Sequence, residues 1–156
     1  FINKGDFMEI IGLLLNEFKN NGVSNIFENI NLVIDKNFLN ENCYKIINDK
    51  KVINFWIIKT NGFNEKYFSI NNNVIEEEVI IKGYFGLNNS SNSLQQFKRE
   101  IDLLCHLLKL INKGSNYLRR NSLVRCSDIK EKYFANILCH YTEITTKYLN
   151  IINKWN

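Results

Sequence analysis

The sequence predicts an α+β domain with an N-terminal helix, an antiparallel meander sheet of four or five strands, and two long antiparallel C-terminal helices. Three observations predict it. Residues 52–70 read as a β-hairpin, VINFWIIKT-NG-FNEKYFSI. Residues 7–18 carry one apolar stripe at helical spacing, and residues 93–155 hold two more such stripes joined by a basic segment.

The first helix starts at Asp6, an N-cap with Glu9 three residues on, and its stripe runs Phe7, Ile10, Ile11, Leu14 and Phe18 until Asn20-Asn21-Gly22 stops it. Short strands follow at 30–35 and 44–48, with Asn48-Asp49-Lys50-Lys51 turning the chain into the hairpin. Asn61-Gly62 accepts the positive φ angles of a tight hairpin turn. On the incoming strand Val52, Trp56 and Ile58 alternate with Ile53, Phe55 and Ile57, so both faces are apolar, as in a central strand covered on two sides. The return strand, with Tyr67, Phe68 and Ile70, is more polar near the turn. After a turn at Asn71-Asn72-Asn73, residues 74–85 form a long strand with Ile75, Val79, Ile81 and Phe85 pointing one way. Glu76, Glu77 and Glu78 interrupt it. In a strand Glu77 faces away from the other two, so the three carboxylates do not converge and read as solvated charges that guard an edge.

Ser93 with Gln96 reads as a capping box for the second helix, whose apolar positions are Leu94, Phe97, Ile101, Leu104, Leu108 and Ile111, widened by Leu103, Leu107 and Leu110. Gly114 ends it. A basic loop then leads to Ser127-Asp128, which with Glu131 starts a last helix with the stripe Ile137, Tyr141, Ile144, Tyr148, Ile151 or Ile152, and Trp155.

The chain has 156 residues, 45% of them hydrophobic, which suits a single domain over residues 1–156, and its start at Phe1 is compatible with a fragment of a longer chain. It holds no proline and much Asn, Ile and Lys, a mark of AT-rich coding rather than of chemistry. No apolar run is long enough for a membrane span and no signal-peptide pattern is visible. Cys43, Cys105, Cys126 and Cys139 are scattered, the usage of reduced intracellular thiols. The net charge of +4 is uneven: residues 1–93 sum to −2 and residues 94–156 to +6, with all four arginines in the second part. An anionic partner is therefore expected at the C-terminal third.

Lys113, Tyr117, Arg119, Arg120 and Arg125 form the candidate anion or nucleic-acid patch, cations for phosphates and a ring for base stacking. Arg99 and His106 form R-x6-H, at the edge of the R-x4–6-H pattern of HEPN ribonucleases; seven residues place both on one helix face, within reach of a shared phosphate. Cys105-His106 and Cys139-His140 invite zinc, but neighbours on a helix diverge by about 100°, so no metal site is expected. No cofactor is expected either. The glycines lack phosphate-loop spacing and no Ser or Cys sits in a nucleophile elbow.

NSLQQFKREIDLLCHLLKLINKG, followed after a loop by SDIKEKYFANILCHYTEITTKYLNIINKW, resembles the region between the β-rich part and the nuclease of ApeA-like HEPN anti-phage proteins. The likeness covers residues 93–155 as a hydrophobic pattern. It implies helices that follow a sheet, a sensing or scaffold role, and a nuclease beyond Asn156, and it carries over no catalytic residue. The N-terminal part departs from that family, lacking Gly-x-Trp and proline-bearing turns. The residues themselves point to a non-catalytic intracellular interaction domain that binds a protein or an anionic partner, RNA included, through a basic C-terminal helical face. A ribonuclease using Arg99 and His106 is the enzymatic alternative.

Overall fold

Three long strands frame the molecule. The computed structural model describes residues 4–28, 43–67, 72–88, 92–110, 117–134 and 136–153. In order they form α1 (Lys4–Asn20), β1 (Ile26–Phe27), β2 (Tyr44–Ile47), β3 (Lys50–Tyr67), β4 (Asn72–Gly86), α2 (Ser93–Leu110), β5 (Tyr117–Cys126), β6 (Lys130–Phe134) and β7 (Ile137–Asn153). The sheet has seven strands. Its centre is β3-β4-β7, paired antiparallel; β1 (parallel) and β2 (antiparallel) share the outer side of β3, and β5 and β6 share the outer side of β7.

Both helices pack on one face. Ile10, Ile11, Leu14 and Phe18 of α1 and Phe97, Ile101, Leu104, Leu107 and Leu108 of α2 join Val52, Trp56, Ile58, Val79, Ile81, Phe85, Ile144 and Tyr148 in one core. Ile53, Phe55, Ile57, Tyr84, Cys139 and Tyr141 form a second cluster on the other face, where Phe55 stacks on Tyr84 at 5.1 Å and Tyr84 meets Tyr141 at 4.9 Å. The alternation read in residues 52–58 thus divides between two cores, as a central strand requires.

α1 begins before Asp6, which sits in its first turn rather than at the cap, and it ends in a Schellman motif. The Val23 and Gly22 amides donate to the Phe18 and Lys19 carbonyls at 2.8 and 3.1 Å, with Gly22 at φ +83°. The tight turn of the β2–β3 hairpin is Asn48-Asp49, at φ 51° and 63°, the pair of positive angles a two-residue loop demands.

Several expectations are corrected. The meander with two C-terminal helices is replaced by two helices and a seven-stranded mixed sheet. The expected last helix is β6 and β7, and the expected basic loop is largely β5. The physical reason lies in the side chains of β7: Thr142, Ile144, Thr145, Thr146 and Tyr148 are β-branched or aromatic and favour a pleated surface. His140, Thr142, Ile144, Thr146 and Tyr148 are all buried at period two, which a helix cannot achieve. Among the described residues of 93–153, α2 is the helical element and β5, β6 and β7 are strands.

Asn61-Gly62 is a β-bulge, not a turn: Thr60 pairs with Val79 and Phe63 with Glu77, so two residues face Glu78 alone. β3 continues to Tyr67. The strand expected at 30–35 lies outside the described residues. Ser93 does not use its hydroxyl to cap α2, as shown below.

Glu77 is also not solvated. It points to the helix face, is 6% exposed, and burial raises its carboxyl from 4.5 to about 7. The folded state then holds a proton that the unfolded state releases between pH 4.5 and 7. Stability therefore falls as pH rises through that window. Glu77→Gln is expected to melt with wild type at pH 4 and ~2–4 °C higher at pH 8, for a gain of about 1 kcal/mol, solvent screening leaving a fraction of the roughly 3 kcal/mol that the full shift would give. Equal melting temperatures across that range would show that the carboxyl titrates normally.

Candidate ligand groove between helix α2 and strand β2

Asn54 is the one polar side chain in an apolar strand segment, and its parity points it under α2. Such a residue needs a partner from the covering layer. Glu100, on α2, provides it: Asn54 Nδ2 donates to Glu100 Oε2 at 2.6 Å and Trp56 Nε1 donates to Oε1 at 3.0 Å. Asn25, in the link between α1 and β1, donates from Nδ2 to the Asn54 backbone carbonyl at 3.1 Å. Burial raises the Glu100 carboxyl above its ordinary range; the hydrogen bonds from Trp56 and Asn54 and the charge of Lys45 oppose that rise. Asn54 Oδ1 is buried and has no hydrogen-bond partner among the described residues.

Two cavities adjoin this cluster. One of about 350 Å³ is lined by Asn54, Glu100, Trp56, Tyr44, Val23 and Leu103 among others. The other, about 580 Å³, is lined by Lys45, Asn92, Gln95, Gln96, Arg99 and Glu100. Lys45 also lines the first, so Lys45 and Glu100 belong to both. Lys45 Nζ donates to Gln96 Oε1 at 3.2 Å, which holds the ammonium beside the first turns of α2.

A second polar pair joins α2 to β7. The Asn88 amide donates to Ser93 Oγ at 2.8 Å, and Ser93 Oγ lies 2.9 Å from His140 Nε2. The hydroxyl and the imidazole share this hydrogen bond, whose direction follows the ring tautomer. Burial lowers the His140 pKa and so favours the neutral ring, with the charge of Glu131 opposing. Ser93 is 2% exposed and both of its polar functions are engaged, so the pair clasps helix to sheet and presents no open nucleophile.

Of the residues singled out in the sequence, Arg99 is exposed and lines the larger cavity, while His106, two turns on, is exposed and outside that lining. Arg125 is exposed at the end of β5. Tyr117, Arg119 and Arg120 lie on β5, where Arg119 pairs with Tyr148 and Arg120 falls in an irregular stretch, but their side chains are outside the description. Lys113 lies outside the described residues altogether. Cys139 and His140 sit on opposite faces of β7, and no group of three metal-ligating side chains occurs among the described residues. Burial pushes the Cys105 and Cys139 thiols up to about 11, away from thiolate chemistry. Among the described residues no helix is long and apolar enough to cross a membrane.

Asn54, Lys45 and Glu100 were not candidates on sequence grounds. The signal was there in Asn54, a lone amide within VINFWII whose burial on either face requires a partner. No protein-family model matches the chain, and no curated protein matches it.

Proposed function

We propose that this chain is a non-catalytic binding domain that takes an anionic group of its partner into the cavity between Lys45 and Arg99. One observation carries the reading: two cations that are distant in sequence line the same cavity with the amides of Asn92, Gln95 and Gln96. Its one acid, Glu100, has both oxygens engaged by neutral donors. The cavity is thus a cationic recess with additional hydrogen-bond donors beside the start of an 18-residue helix, where amide dipoles favour negative charge. The cavity lined by Lys98 and Lys130 also holds Asp102, Asp128 and Glu131, whose charges oppose an anion.

Calorimetric titration with inorganic pyrophosphate at low and moderate salt tests this. Wild type is expected to bind, more weakly as salt rises. Lys45→Ala and Arg99→Ala are each expected to weaken binding about 5- to 10-fold, on the order of 1 kcal/mol apiece, while Arg125→Ala leaves it unchanged. Unchanged affinity in the first two variants sinks the proposal, and loss only in Arg125→Ala moves the anion site to β5.

A further inference from the structure

We infer that the bound anion is the phosphate of a guanine nucleotide whose base enters the smaller cavity over Glu100 and Asn54, a reading that rests on the anion site proposed above. The two cavities share Lys45 and Glu100 and so adjoin one another. At about 350 Å³ the smaller one falls at the low end of the ~300–1,000 Å³ typical of small-ligand sites. Tyr44 from β2 and Leu103 and Val23 from the helical side give it walls suited to a flat ring.

Its floor asks for donors. A carboxylate has about four lone-pair positions, and Asn54 and Trp56 occupy two of those on Glu100. Asn54 Oδ1 accepts nothing among the described residues, although Asn54 is only 4% exposed. Clasping α2 to the sheet accounts for Asn54 Nδ2 and Trp56 Nε1 but not for this oxygen. Exchanging the amide oxygen and nitrogen is no remedy, because it would set oxygen against the Glu100 carboxylate at 2.6 Å. An unmet buried acceptor is costly, and a ligand donor would relieve it.

Guanine presents two neighbouring donors on one edge, N1–H and the N2 amino group, which match a carboxylate and an adjacent carbonyl oxygen. Adenine presents its N6 amino group beside an acceptor nitrogen that would face the carboxylate. Uracil has one N–H between two carbonyls. The Asn54 oxygen is closed to water-sized contact, so the base reaches it only as the side chains that cover it move aside.

The test is calorimetric titration of the chain with guanosine monophosphate, adenosine monophosphate and inorganic phosphate. Guanosine monophosphate is expected to bind at least ~10-fold more tightly than the other two. Glu100→Gln should erase that preference, and Leu103→Trp, which fills the cavity from a residue 40% exposed and so leaves folding intact, should do the same. Equal affinity for all three ligands, each weakened by Arg99→Ala, overturns the base assignment and leaves the anion site standing. Absence of binding by all three removes both. A guanine preference that survives Leu103→Trp also overturns the assignment.

Discussion

Gly83→Ala is expected to lower the free energy of unfolding by about 3 kcal/mol and the melting temperature by ~6–12 °C. Gly83 pairs directly with Trp56 across β3 and β4, and the indole lies flat over the space where a side chain would stand. A Cβ there would fall inside the contact radius of Cζ3, Cε3 and Cη2 of Trp56. The ring has nowhere to move. It is 1% exposed, stacks on Phe97 at 5.4 Å, and is held at Nε1 by Glu100. Trp56→Leu is itself costly, but Gly83→Ala added to it is expected to cost little, since the colliding atoms are gone. Denaturant unfolding of the four proteins of this cycle measures the coupling. An equal penalty for Gly83→Ala in both backgrounds would place the strain elsewhere.

Glu100→Leu comes next, with an expected loss of about 2–3 kcal/mol. It strands two buried donors, Asn54 Nδ2 and Trp56 Nε1, each worth ~1–3 kcal/mol when left unmet, while removing the desolvation cost of a buried carboxylate. Adding Asn54→Leu should recover part of the loss, because it deletes one stranded donor and the unmet Oδ1 together. The check is urea unfolding of both variants. If the double variant is less stable than Glu100→Leu by the full cost of an ordinary core substitution, the hydrogen-bonded cluster does not hold α2 in place.

The elements that could be read from the sequence are those with one unambiguous period. The stripe Ile10, Ile11, Leu14, Phe18 and its counterpart in α2 are apolar at helical spacing and interrupted on the other side by Asn16, Lys19, Lys98 and Asp102. β4 shows Val79, Ile81 and Phe85 on one face as expected. β7 misled because its apolar residues are divided between two faces, Tyr141 on one and Ile144 and Tyr148 on the other. Tyr141, Ile144 and Tyr148 then satisfy helical spacing by accident, and the threonines among them were the better guide. Asn61-Gly62 misled for a different reason. Tolerance of unusual φ serves a bulge as well as a turn, and only the pairing partner, here Glu78 alone, decides between them. The groove was hidden because Lys45, Asn54 and Arg99 come from three elements that are brought together only by packing α2 across β3.

The order of the strands also dictates an order of events. β2 meets β3 across Asn48-Asp49, and β6 meets β7 across the short turn at Asn136, so each hairpin closes locally and quickly. β4 and β7 are neighbours over fifteen residue pairs, yet α2, β5 and β6 all lie between them in sequence. That ladder must wait for a large loop to close, and delay of this kind slows folding. The chain is therefore kinetically two halves, one ending at Gly86 and one beginning at Ser93, joined by the β4–β7 ladder and by the packing of α2 on α1 and β3. Until that ladder closes, β4 and β7 each expose an open strand edge to any other copy of the chain.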